Sequence, residues 1–352
     1  MRLLNVVSVF LFFSINLSFG QITDILTGLN QPGRLIIIGD YLYFSRETTK
    51  ISRFNITLSP PVIEDVVTGL YEPATMVLVG NELYFTQFQI GKISKIDLSA
   101  SSPIVIDVVD GLYGPNGLAI NGNELFFSES LNNQISKIDL TNPSVPPTIL
   151  ITGLNFPSEM VIIGTDLYVS EILGNSITKF DLSSNSPSPV TVANGLARPI
   201  GMMSNGMDLF FCQSVGGKIS KMDVNNGQSA IIDIATGIAN PTDLFIKGND
   251  IYVIDGNYSS LDEGKIFVIK NSVMGLNDDS YCNAVFFPNP TSDFLSFNNI
   301  SIESTYQILD VNGKLLLTGK LEKGQKIDVR SIHSGFYMLQ LENGFSTNFI
   351  KN

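Results

Sequence analysis

Histidine is nearly absent from this 352-residue chain, and tryptophan is wholly absent. The single imidazole, His333, excludes metal centres built from several histidines. Its place near the C-terminus also excludes a histidine base in the body of the chain. Basic residues are scarce, 21 Lys and Arg against 33 Asp and Glu, for a net charge of −12. Affinity for nucleic acid rests on Lys and Arg neutralising phosphates, so a DNA- or RNA-binding role is excluded. Charged residues make up only 15% of the chain and hydrophobic ones 44%, which excludes a disordered polyelectrolyte. Two cysteines, Cys212 and Cys282, are too few for a disulfide scaffold, and the sequence leaves open whether they are bonded. The lack of tryptophan counts against a strong glycan-stacking platform.

Arg2, the apolar run from Leu3 to Phe13 and the small residues around Ser18-Phe19-Gly20 predict a signal peptide over residues 1–20. The mature chain is then expected to start at Gln21. No later run is apolar for the 18 or so residues that a transmembrane helix needs.

Glycine and proline are plentiful and periodic. A Gly followed by Leu or Ile recurs at Gly28, Gly69, Gly111, Gly153, Gly195 and Gly237, at intervals of 41 and then 42 residues. Four residues after each stands a proline: Pro32, Pro73, Pro115, Pro157, Pro199 and Pro241. Each repeat carries four short β-favouring runs, in the second one Val62–Thr68, Met76–Val79, Glu82–Thr86 and Lys92–Leu98. Runs such as Leu83-Tyr84-Phe85 are apolar on both faces, so both faces are covered. Four-strand units at this period are the blades of a β-propeller. The sixth unit ends at Lys270 after three strands, and Ile22–Thr27 is the one β-favouring run left to supply its fourth. The predicted fold is therefore all-β: a six-bladed β-propeller closed by its N-terminal strand over residues 21–270. A linker over 271–284 and a small C-terminal β-sandwich over 285–352 follow.

The repeats resemble the NHL-type and gluconolactonase-type six-bladed propellers in their proline, their Gly-Asn-Glu-Leu-Tyr-Phe turn and strand, and the acidic or amide residue that follows. In gluconolactonase-like propellers, an Asn-Gly-Leu and an Asp after a proline supply metal ligands. Pro115-Asn116-Gly117-Leu118 matches the first motif. The second is not kept, since Thr242 follows Pro241 and Asp243 stands one place late. The acidic ligand expected in the first blade has no match, since Gln31 and Gly33 flank Pro32. The tail runs through Phe286-Phe287-Pro288-Asn289-Pro290, Leu309-Asp310-Val311-Asn312-Gly313-Lys314 and Ser334-Gly335-Phe336-Tyr337-Met338-Leu339. It resembles the C-terminal sorting domain of the Bacteroidetes type IX secretion system. That resemblance implies contact with the secretion machinery, export through the periplasm to the surface or medium, and tail removal with release or lipopolysaccharide anchoring.

Two registers of side chains are expected to face one end of the central channel. The first, two residues after each proline, holds Arg34, Thr75, Gly117, Glu159, Gly201 and Asp243, with Asn116 beside it; the second, after the Leu-aromatic strand, holds Arg46, Gln87, Glu129, Glu171, Gln213 and Asp255. Tyr71 and Tyr113 stand nearby as flat apolar surfaces for a peptide, protein or glycan ligand. These carboxylates and amides are oxygen donors that Ca²⁺ accepts, but the partial motif match argues for no bound metal and no cofactor. The Asp255–Glu263 loop starts like a calcium loop and lacks its central Gly, with Ser260 there instead. There is no Gly-x-Ser-x-Gly and no His partner for a Ser or Cys nucleophile, so no catalytic residue is assigned. The expected role is a binding module at the cell surface; the alternative is a metal-dependent lactonase-like hydrolase or lyase at the same channel mouth. Truncation after Ser280 is expected to leave a folded propeller in the periplasm. Its appearance in the medium, read by fractionation, would overturn the tail's assignment as an export signal.

Overall fold

The computed structural model describes residues 21–352 except for 185–186, 225–229, 257–262, 271–284, 288–290, 299–303, 311–313, 322–325 and 342–345. The expected signal peptide, the linker with Cys282, and most of the Asp255–Glu263 loop with Tyr258 lie outside these residues.

Six four-stranded antiparallel sheets follow one another from residue 22 to residue 269. In blade 2 the strands are Pro73–Val79, Glu82–Gln87, Lys92–Asp97 and Ile106–Val109, running outward from the axis. Blades 1, 3, 4 and 5 repeat this order over residues 35–68, 115–152, 157–193 and 199–236. Glycines with positive φ, Gly80 at 61° and Gly122 at 60° among them, make the tight turn between the first and second strands. Blade faces stack through interleaved side chains, so each cluster spans two neighbours. Phe126, Ile135 and Ile151 of blade 3 pack with Met160, Leu167 and Phe180 of blade 4. That contact explains why the second strands are apolar on both sides.

The sixth blade is built from the two ends of the repeat region. Its inner strands are Pro241–Lys247, Asp250–Asp255 and Gly264–Ile269, and its outer strand is Ile22–Leu29. Ile22 lies opposite Ile269, Asp24 opposite Phe267 and Leu29 opposite Gly264. Leu29 is fully buried in a cluster that joins Leu35, Phe44 and Phe54 of blade 1 to Tyr252, Ile254 and Ile266 of blade 6. Ile25 and Leu26 pack against that cluster in part. Ile22, which pairs with Ile269 at the start of this outer strand, stays 46% exposed. The strand's apolar contribution therefore comes mainly from Leu29.

The tail forms two sheets, one of three strands and one of four. Leu295, Ile308, Leu321, Val329, Leu339 and Phe349 share its core. Ser304–Asp310 and Leu315–Leu321 pair antiparallel.

Removing residues 21–29 exposes the last strand's edge and removes a buried leucine and two half-buried residues. At roughly 1.5–3 kcal/mol per buried side chain and roughly 2–4 °C per kcal/mol, the truncated propeller is expected to melt about 10 °C lower or to aggregate. An unchanged melting temperature by calorimetry would show that the strand does not hold the ring.

Candidate functional site: the channel mouth

The first register converges on the axis, and its centre is Arg34. This side chain is 6% exposed and reaches from blade 1 across the channel. One terminal nitrogen donates to Asn116 Oδ1 at 3.1 Å and Ser158 Oγ at 2.8 Å; the other donates to the Thr242 carbonyl at 3.3 Å. That second nitrogen lies 3.6 Å from Glu159 and 3.9 Å from Asp243. Thr75 donates to Glu159 at 2.8 Å, and the Leu35 N–H donates to Asp243 at 2.8 Å. Residues from blades 1, 2, 3, 4 and 6 thus meet in one buried polar knot. Where the sequence suggested oxygen donors for Ca²⁺, the cation among Asn116, Glu159 and Asp243 is a guanidinium.

The charges of this knot do not cancel when every group is ionised, because one arginine faces two carboxylates. Burial lifts Glu159 to about 7; Arg34 opposes the rise and Asp243 adds to it. Burial likewise lifts Asp243 to about 6, against Arg34 and the backbone N–H donors. With one guanidinium for two buried carboxyls, a proton is retained on the pair to a higher pH than on an ordinary carboxyl. Cys212, wholly buried in the neighbouring wall, is a free thiol pushed well above its ordinary value, which suits a wall residue and not a nucleophile.

The second register is placed differently. Gln87, Glu129, Glu171, Gln213 and Asp255 are buried, and each accepts the N–H of a residue two places before a proline. The donors are Tyr71 at 3.1 Å, Tyr113 at 3.1 Å, Asn155 at 2.7 Å, Ala197 at 2.9 Å and Ala239 at 3.1 Å. These side chains staple the loop that enters each blade and do not point as free groups into the channel. Glu129 and Glu171 are each held within their own blade, by Ser136 and Thr178. Arg46 alone of the register lines the mouth, while bonded to Glu47, Ser52 and Asp65.

Above the knot lies a cavity of about 330 Å³, lined by residues of all six blades. Arg34, Asn116 and Thr242 form its polar floor, and Ala74, Phe88, Ile172 and Ile200 its apolar walls. Around it the loops expose Tyr71, Tyr113, Leu131, Leu173 and Val215, each at least half exposed. The last three stand two places after Glu129, Glu171 and Gln213, and Phe88 and Ile172 stand one place after Gln87 and Glu171. That recurrent apolar position was the available signal for Leu131, Leu173, Val215 and Ile172, which motif and register alone do not mark as rim or wall. Among the described residues no group of three or more His, Cys, Asp and Glu is placed to hold a metal ion.

The comparisons fit this geometry. A family model described as the secretion system C-terminal sorting domain matches residues 285–351. Those residues are a type IX sorting domain. Export to the cell surface or beyond, and contact with the type IX machinery, follow from it. No curated protein sequence matches the chain. Among solved structures, the chain is similar to a streptogramin B lyase at 18% identity and TM-score 0.52, covering 67% of this chain and 80% of that one. It is similar to an auxiliary nutrient binding protein from Bacteroides ovatus at 11% identity and TM-score 0.57, covering 68% and 69%. A luciferin-regenerating enzyme matches at 10% identity and TM-score 0.59, covering 73% and 96%. At these identities the likeness shows the propeller fold alone. No helix among the described residues is long and apolar enough to cross a membrane.

Two outcomes test the knot. Arg34→Met leaves two buried carboxyls without their cation, and a loss of about 3–5 kcal/mol is expected from denaturant unfolding. The folded-state values of Glu159 and Asp243 lie above their ordinary ones, so both groups stabilise the fold below about pH 4 and lose that contribution as pH rises to about 7. Glu159→Gln is expected to flatten the fall in melting temperature between pH 5 and 7. An unchanged profile would show that Glu159 does not carry a proton there.

Proposed function

We propose that this chain is an exported binding propeller that takes its ligand in the mouth cavity, with Arg34, Arg46, Asn116, Phe88 and Ile172 as lining and Tyr71 and Tyr113 as rim. The carrying observation is a cavity built by all six blades with a closed, charge-compensated floor. A pocket of a few hundred Å³ with apolar walls and few polar groups is the common form of a small-ligand site. The apolar rim suits a ligand larger than the pocket, one group inserted and the remainder lying across the loops. The type IX tail accounts for where such a protein would work, and neighbours of the same fold include nutrient binding proteins.

The same reading carries the division of the chain: a leader over 1–20, the propeller over 21–270, a linker over 271–284 and the sorting domain over 285–352. Removal of the tail and attachment to lipopolysaccharide belong to it as well.

The lactonase-like or lyase alternative gains no support here. The oxygen ligands it needs are spent on Arg34. The catalytically inactive variant of virginiamycin B lyase from Staphylococcus aureus carries alanine for a histidine. This propeller contains no histidine, the only one being His333 in the tail.

Ala74→Trp fills the cavity from its wall. Fragments that bind the wild-type protein in ligand-observed NMR are expected to lose their signal with this variant while its melting temperature holds. Fragments that bind both proteins equally would place the site elsewhere.

A further inference from the structure

Four of the six blades share one polar device, and blade 4 departs from it in a way that opens a second site. In blades 1, 2 and 5 a serine on the third strand donates to an aspartate on the outer strand. The pairs are Ser52 to Asp65 at 2.7 Å, Ser94 to Asp107 at 2.8 Å and Ser220 to Asp233 at 2.8 Å. A lysine at the start of the same third strand then pairs with that aspartate, as Lys50 does with Asp65, Lys92 with Asp107 and Lys218 with Asp233. In blade 6 the outer aspartate is Asp24 of the N-terminal strand, and Lys265 pairs with it at 3.1 Å. Each of these four blades thus carries its own ammonium beside a carboxylate.

Blades 3 and 4 have no outer aspartate: Ser136 lies opposite Ile149, and Thr178 opposite Thr191. Their carboxylate has moved to the second strand, where Glu129 takes the Ser136 hydroxyl and Glu171 the Thr178 hydroxyl. Blade 3 fills the lysine position with Gln134, whose amide donates to Glu129 at 2.6 Å. Blade 4 has Ser176 there, too short to reach the same point. Glu171 is 8% exposed, and its donors among the described residues are neutral, the Thr178 hydroxyl and the Asn155 N–H. Beside it, between blades 3 and 4, lies a cavity of about 430 Å³. Glu171, Thr152, Thr178 and Thr191 give it a polar end, and Phe180 and Pro189 line an apolar side.

We propose that this cleft binds a primary alkylammonium group, seated where the other blades place their own lysine. The carboxylate supplies the charge, the three threonine hydroxyls can accept the ammonium hydrogens, and the apolar side suits the methylenes. A net charge of −12 favours the approach of cations at low salt. The site is separate from the mouth cavity and does not depend on the function proposed there.

The probe is n-butylammonium at pH 7 and low salt, titrated calorimetrically into the full chain, with n-butanol as the neutral isostere. Binding is expected for the ammonium, at least tenfold weaker for the alcohol, and weaker as salt rises. Glu171→Gln keeps an acceptor for the Asn155 N–H, as Gln87 and Gln213 do in their own blades, so it is expected to fold and to lose at least tenfold in affinity. Ser176→Lys is expected to occupy the cleft from within, raising the melting temperature and abolishing the response. A second arm with Nα-acetyl-lysine amide separates the sources. Binding of both probes indicates a lysine side chain of a partner, and binding of butylammonium alone indicates a free amine. Equal binding of butylammonium and butanol, or undiminished binding in either variant, would overturn the proposal.

Discussion

The seam between the first and last blades is the constraint on which the propeller depends. Five of the six junctions join blades already linked in sequence. The sixth must be made by pairing Ile22–Leu29 with Gly264–Ile269 and by burying Leu29 between blades 1 and 6. It is reinforced near the axis, where Leu35 N–H donates to Asp243 and Thr242 donates to the Gly33 carbonyl. Only with the seam shut does Arg34 face Asp243 and Glu159, and only then does the mouth cavity have six walls.

Arg34 turns this closed ring into a closed channel. Its guanidinium bonds to groups on three other blades, so the floor of the cavity is a charged network made of covalently distant residues. Such a network costs desolvation and returns geometric definition, because each blade must stand in one position for its oxygen to be within reach. The floor is rigid for the same reason that it is chemically quiet: every strong group on it is already engaged.

Architecture was legible in the sequence because the repeats state it six times over. The prolines and the Leu-aromatic runs fix the strands, and the incomplete sixth unit points to Ile22–Thr27 as its missing member. The site was legible in part. The positions just after the prolines do meet at the axis, since strand starts in a propeller must converge there. The second register looked equally convergent, but a repeat spacing does not say whether a side chain turns toward ligand or toward its own loop. Gln87 and Glu171 turn to their loops, where they accept the N–H groups of Tyr71 and Asn155.

The shared seam also sets an order of events. Its two strands are the first and the last of the propeller, so their contacts have the longest separation along the chain of any in the ring. Loop-closure entropy rises only logarithmically with that separation, by roughly 0.6 kcal/mol per doubling, so the finished ring bears the cost easily. The rate is another matter, since contacts so distant in the chain are slow to form. Five blades can assemble as local four-strand units while the first strand is unpaired, and the ring becomes a single cooperative body only when the final repeat is in place to receive it.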